Sequence, residues 1–198
     1  MEISEKNIKV WSTIGSRATF GLVALELVKK IENLIILTSD VSTSAGLDRY
    51  RKTYPDKYID TGIAEQNLIG IAAGLASENY NVITTTFAPF QTMRCCEQIK
   101  GNLGYMKQKV CMVGLASGLA LGTLGFTHSC IEDIGVLRSI PGLTIISPAD
   151  SLETVKALET AIELNGPSYI RLSGVNNNPI VYNKDYKFKI GKSVKLTQ

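Results

Sequence analysis

The stretch DTGIAEQNLIGIAAGLASE, residues 60–78, sets one carboxylate, Glu65, at the mouth of an otherwise almost wholly apolar run. Leu68, Ile69, Ile71, Ala72, Ala73, Leu75 and Ala76 follow it. Wound as a helix, they are apolar nearly all round, so the helix is expected to be buried or to lie at a subunit interface. The helix dipole favours a negative charge on its first turn. Burial disfavours that charge. A carboxylate under both pulls suits proton exchange. It also suits a plain N-terminal cap, and the residues alone leave both roles open.

Three further groups could do chemistry. Phe87 and Phe90, in TTFAPFQTM, are either core residues or a flat apolar slot for an aromatic ring. His128, the only histidine, ends a glycine-rich stretch and precedes a helical pattern. It is either structural or a substrate contact on a loop. Arg17 and Ser44 stand near helix or loop starts, where an anion could dock. The bland reading of both is a solvated or capping residue.

Other chemistries lack their elements. No Gly-x-Gly-x-x-Gly follows a strand, no Walker-type loop is present, and no acidic cluster suits magnesium. Cys95, Cys96, Cys111 and Cys130 form no Cys-x-x-Cys pair, so no metal site is expected in this chain. The net charge of +3 is small and scattered, which leaves no footprint for nucleic acid. The N-terminus MEISEKNIKVW has no apolar signal core, and the expected setting is the reducing cytoplasm. The uncharged stretch 110–127 is long enough for a membrane span, but strand-and-helix alternation on both sides favours a buried strand and a glycine-rich loop.

These residues need a frame. The 198 residues suit one large α/β domain. Helices are expected over 16–30, 64–78, 89–103, 131–139 and the run after 150, where Ser147 or Asp150 caps, Glu153 completes a capping box and Gly166 closes. Strands are expected at NLIILTSD, KYID, NVITTTF, KVCMVGL, LTIISP and PSYIRLSG. Residues 41–57 read as a loop with at most a short helix, and 116–127 as a long flexible loop. The fold class is α/β: an open, mostly parallel sheet with helices on both faces, its functional residues at the C-terminal strand ends. Residues 1–175 form the domain. Residues 176–198 run polar and basic, and read as a linker or tail toward a further domain.

Together these segments resemble the pyrimidine-binding domain of the transketolase family of thiamine diphosphate enzymes. DTGIAEQNLIGIAAGLA looks like the stretch around the family's cofactor glutamate. TTFAPF, GFTHSCIEDIGVLRSIPGLTIISPAD and GPSYIRLSG follow in the family's order, over residues 11–174. The wording is most similar to C-terminal halves of split transketolases and to deoxyxylulose-phosphate synthase.

The resemblance implies that Glu65 hydrogen-bonds N1′ of the cofactor's aminopyrimidine and that Phe87 and Phe90 stack on that ring. Asp40 and Ser44 match a loop near cofactor and substrate. Arg17 matches an arginine that binds the sugar phosphate, and His128 a histidine that contacts substrate hydroxyls. The implied reaction passes a two-carbon ketol unit between sugar phosphates. The family's Gly-Asp-Gly motif for diphosphate and Mg2+ is absent. A partner, the N-terminal diphosphate-binding subunit or domain, is therefore implied, in a homodimer or heterotetramer. Two positions depart from the family: Leu124 stands where an aspartate is frequent, and Met93 where a third aromatic is frequent. A pyruvate-using subunit, of the deoxyxylulose-phosphate synthase or 2-oxo-acid dehydrogenase kind, and a non-catalytic assembly module stay open as alternatives.

Overall fold

Short runs of branched apolar residues make the sheet. The computed structural model describes residues 1–173 and 176–196. Strands β1 (Leu34–Thr38), β2 (Tyr58–Asp60), β3 (Asn81–Phe87), β4 (Val110–Leu115), β5 (Thr144–Ile146) and β6 (Ser168–Arg171) form one sheet in the order β2-β1-β3-β4-β6-β5. Every pairing is parallel. The helices are α1 (Glu5–Lys30), α2 (Asp48–Thr53), α3 (Glu65–Ser77), α4 (Ala88–Gln91), α5 (Cys96–Gln98), α6 (Asp133–Leu137) and α7 (Ser151–Ala161). Alternate strand residues face opposite layers. Ile36, Ile83, Val113 and Ile170 join a core with α1, α2 and α7. Leu37, Val82, Met112 and Tyr169 join a second core with α3 and α6. Burial on both faces is why these strands read as near-continuous hydrophobic runs. Among the described residues no helix is long and apolar enough to cross a membrane.

Several elements differ from expectation. Helix α1 begins at Glu5 rather than at residue 16, with Ser4 Oγ accepting the Asn7 N–H at 3.3 Å. Gly15, at φ 80° and ψ 171°, breaks the helical path, so the periodicity of the two halves does not run on. The single helix expected over 89–103 is split into α4, α5 and a wide π-type turn, Ile99–Tyr105. Helix α4 stops at Gln91, and Thr92 caps it at φ −112° and ψ −75°. Beside it the Gln91 side chain turns inward to donate to Thr84 Oγ1 at 2.7 Å. Gly101 and Gly104 add little helix preference. A Cβ on Gly104 would lie 2.6 Å from Ile140 Cγ2, so close packing shapes that turn. The loop over 116–127 is pinned at its base, where Gly118 and Cys130 exchange two backbone hydrogen bonds of 2.8 Å. Asp150, not Ser147, caps α7, accepting the Glu153 N–H at 2.7 Å; the helix ends at Ala161, ahead of Gly166.

The described part of the segment after 175 lies against this domain. Asp150 Oδ2 accepts the N–H groups of Val181 and Tyr182 at 3.0 and 2.9 Å. Tyr182 and Tyr186 stack 4.0 Å apart, and both pack on the α1–α7 core with Phe188 and Ile190.

One backbone approach positions a candidate residue. Gly46, at φ 71°, seats the loop carrying Ser44 on α1. A Cβ on Gly21 would lie 2.1 Å from the Gly46 carbonyl oxygen. Gly21→Ala is expected to destabilise the fold by about 1–3 kcal/mol or more, because backbone cannot yield as a flexible side chain can. A lower midpoint in urea with unchanged slope checks this; an unshifted midpoint would show that the loop is seated otherwise.

Candidate functional site

The turn from β2 into α3 brings Glu65 to the C-terminal end of the strands. Glu65 is 3% exposed. Ala64, the residue at the N-cap position, offers no side-chain hydrogen bond to the helix. The Glu65 carboxylate does not fill that role. Its Oε2 accepts from Arg94 Nη1 at 2.7 Å, and among the described residues no helix N–H bonds to it. Gln66 Nε2 donates to the Arg94 carbonyl at 3.1 Å, which ties Arg94 to α3. The Arg94 guanidinium carbon stands 4.1 Å from the Phe90 ring centroid, a cation–π contact.

The chain of contacts continues from Phe90. Its ring meets Phe87 at 6.4 Å and His128 at 5.3 Å, both near-perpendicular, and Phe87 meets His128 at 5.9 Å. His128 Nδ1 shares a hydrogen bond of 3.0 Å with Thr127 Oγ1. Glu65, Phe90, Phe87 and His128, named separately from sequence, thus lie in one connected group, with Arg94 as the link. A cleft of about 330 Å³ opens beside it, lined by Ile63, Ala64, Glu65, Gln66, Asn67 and Arg94.

Asp40 and its surroundings depend on Asp60. Asp40 is exposed, in left-handed geometry at φ 54°. Its N–H donates to Asp60 Oδ1 at 2.9 Å, as does that of Gly62. Thr38 Oγ1 donates to Asp60 Oδ2 at 3.0 Å. Partial burial raises the Asp60 pKa, but the bonds from Asp40, Gly62 and Thr38 outweigh it, and the net position is below the ordinary 3.8. A carboxyl whose pKa is depressed by folding adds stability above its unfolded pKa, and that stability is lost as pH falls through the folded value. Melting temperature should therefore drop as the pH falls below about 4, and Asp60→Asn should flatten part of that drop. An unchanged acid profile in the variant would remove Asp60 from this role.

Arg17 and Ser44 meet elsewhere. They line a cleft of about 370 Å³ with Ile14, Ala18, Thr43, Gly46 and Asn176. None of the Glu65 cleft's lining residues belongs to it.

Behind the His128 loop lies a network that sequence reading missed. Asp133 is fully buried, and its Oδ2 accepts from Tyr169 OH at 2.9 Å and Arg171 Nε at 2.8 Å. Gly114 makes room for Tyr169, since a Cβ there would lie 2.5 Å from the phenol oxygen. Burial, then the neighbouring Asp133 charge, pushes the Tyr169 pKa well above its usual range, so it stays a neutral donor. Arg94 was also missed. Its spacing of four from Phe90 is a helical-neighbour signal for the cation–π contact, but nothing local points to Glu65.

Thiol chemistry is disfavoured at the site. Burial, then the Glu65 charge, pushes the Cys95 thiol up to about 12. Among the described residues no cluster of three or more His, Cys, Asp or Glu could hold a metal ion.

The chain matches the family described as transketolase, pyrimidine binding domain, over residues 12–178. It is 34% identical over 180 residues to one of the subunits of the apulose-4-phosphate transketolase of Phocaeicola vulgatus, covering 91% of this chain and 58% of that one. It is 32% identical over 186 residues to transketolase of Homo sapiens, covering 93% of this chain and 29% of that one. Among solved structures it is similar to a split-gene transketolase, described as an inactive β4 tetramer, with a TM-score of 0.82 and 32% identity, covering 93% of this chain and 59% of that one. The chain spans a little over half the length of the apulose-4-phosphate transketolase subunits it matches.

Proposed function

Because this chain belongs to the transketolase family, as its pyrimidine-binding domain, we propose that it is the pyrimidine half of a thiamine diphosphate enzyme that moves a two-carbon ketol unit between sugar phosphates. The observation that carries this is the buried Glu65 carboxylate in one connected group with Phe90, Phe87 and His128. The residues fit an aminopyrimidine: a carboxylate for a ring nitrogen, aromatic side chains for a ring face, and an adjoining cleft of about 330 Å³. When bound, thiamine diphosphate supplies the electron sink for breaking the bond beside a ketose carbonyl.

The chain's own residues then have distinct tasks. Glu65, 3% exposed at the edge of the cleft, holds and returns a proton at ring N1′. Phe90 and Phe87 orient the ring. His128, on the loop pinned by Gly118 and Cys130, reaches the substrate hydroxyls. Arg17, with Ser44, offers a cation and a hydroxyl to a phosphate. Asp40 closes the β1 end of the site. The diphosphate and Mg2+ are held by an N-terminal partner subunit or domain, in a homodimer or heterotetramer. Residues 1–175 are the pyrimidine-binding unit, and 176–198 lead toward a further domain. The similar split-gene transketolase is described as inactive as a β4 tetramer, which supports a need for the partner. Four free cysteines suit a cytoplasmic setting.

A second reading is a pyruvate donor. It is favoured by Leu124 and Met93, which are 55% and 48% exposed and bring apolar surface where the family often has a polar or aromatic group. One assay separates the two readings. The chain is mixed with a diphosphate-binding partner, thiamine diphosphate and Mg2+, and offered a panel of ketose phosphates and pyruvate. Turnover of a ketose phosphate is the expected result. Turnover of pyruvate alone moves the assignment to the second reading, and no turnover of any donor rejects both.

A further inference from the structure

Arg94 plays no part in the proposed chemistry, yet it touches two of the three groups assigned to the pyrimidine ring, Glu65 and Phe90. Its guanidinium donates to Glu65 Oε2 at 2.7 Å and stands over Phe90 with its carbon 4.1 Å from the ring centroid. A guanidinium is planar, cationic and edged with N–H donors. An aminopyrimidine with a proton at N1′ shares those features: a flat face for the aromatic and an N–H for the carboxylate. The two cannot share the place. A flat group inserted between Arg94 and that face of Phe90 needs about 3.5 Å on each side, and the whole separation is 4.1 Å.

We infer that Arg94 is a resident stand-in for the cofactor ring: it occupies the pyrimidine position in the free chain and must swing out for the ring to enter. This rests on the assignment of Glu65 and Phe90 to the cofactor. The geometry permits the swing. The Arg94 side chain is 41% exposed whereas that of Glu65 is 4% exposed, so the arginine has water to move into and the carboxylate has not. The Arg94 backbone stays anchored by the Gln66 bond, so only the side chain need turn. While Arg94 is in place, Glu65 is paired and Phe90 covered, which protects an otherwise unpaired buried carboxylate. A minor open state then limits the affinity of the free chain for the ring. A partner that pulls Arg94 outward would raise that affinity without contributing a contact to the pyrimidine.

Thiamine tests this, because it carries the pyrimidine and lacks the diphosphate that the partner holds. The full chain is titrated with thiamine by NMR, as wild type, Arg94→Ala, Arg94→Lys, Glu65→Gln and the Glu65→Gln/Arg94→Ala double variant, each checked for folding by circular dichroism. Arg94→Ala should bind about tenfold tighter or better than wild type, and Arg94→Lys should fall between, keeping a cation for Glu65 while losing the broad guanidinium over Phe90. The gain should vanish in the double variant. Binding by Arg94→Ala and Arg94→Lys that equals or falls below wild type, with Glu65→Gln weaker still, overturns the stand-in and leaves the Glu65 assignment standing. Binding indifferent to Glu65→Gln in both backgrounds overturns the cofactor assignment and the stand-in together. No detectable binding in any variant also overturns the stand-in, since removing Arg94 would then have opened nothing.

Discussion

Glu65→Gln should lower kcat of the reconstituted enzyme by about 10²- to 10⁴-fold, the usual contribution of a positioned acid or base, and leave the fold intact. Gln matches Glu in shape, and its side-chain carbonyl can still accept from Arg94. It cannot take up and return a proton. Arg94 is 41% exposed at its side chain and can turn to water, so a neutral partner at 65 strands no buried cation. KM for the donor should move far less than kcat, because the lost interaction belongs to the reacting state rather than to donor binding. Full activity in a folded Glu65→Gln variant would end the proton role.

The largest effect on stability is expected at Asp133. Asp133→Ala removes the partner of Arg171 Nε and of the buried Tyr169 hydroxyl in one step. Breaking a buried pair from one side costs about 3–5 kcal/mol; the lower end applies here, because the buried Tyr169 hydroxyl loses its partner without regaining water while Arg171, 22% exposed at its side chain, is partly rehydrated. In a chain of this length the melting temperature should fall by about 2–4 °C per kcal/mol. Function should suffer too. Asp133 opens α6, directly after the His128 loop, and a Cβ on Gly118 at the loop's base would lie 3.4 Å from Arg171 Nη2. Asp133→Asn keeps an acceptor for Tyr169 or Arg171 and should cost clearly less than Asp133→Ala. Equal melting temperatures for both variants and wild type would show that the network contributes nothing to the fold.

How much of this was legible in the sequence depended on how local the cause is. The strands were legible, because a parallel sheet buried on both faces demands apolar runs such as LIILT and VCMVGL. Glu65, Phe87, Phe90 and His128 were legible as candidates because strand ends collect functional residues in this fold class, and the structure brings the four into one connected group through Arg94. Their roles came from the resemblance, not from the pattern. Arg94 was hidden because residues 89–103 read as one helix. The break at Thr92 and the contact between α3 and the chain after α4 set its reach to Glu65, and both are tertiary. Asp133 and Arg171 meet across 38 residues, through the pairing of β4 with β6, and no short-range signal encodes that. The N-terminal half of α1 was hidden by Gly15. The docking of 176–196 was hidden because Asp150, read as a helix cap, also holds Val181 and Tyr182.

The most direct test of the central claim is a crystal structure of the chain assembled with a diphosphate-binding partner and thiamine diphosphate. The account predicts a Glu65 carboxylate oxygen within about 2.6–3.2 Å of ring N1′, Phe90 against the ring face and Arg94 turned away from Glu65. A bound cofactor whose pyrimidine lies away from Glu65, with the Glu65–Arg94 pair intact, would contradict it.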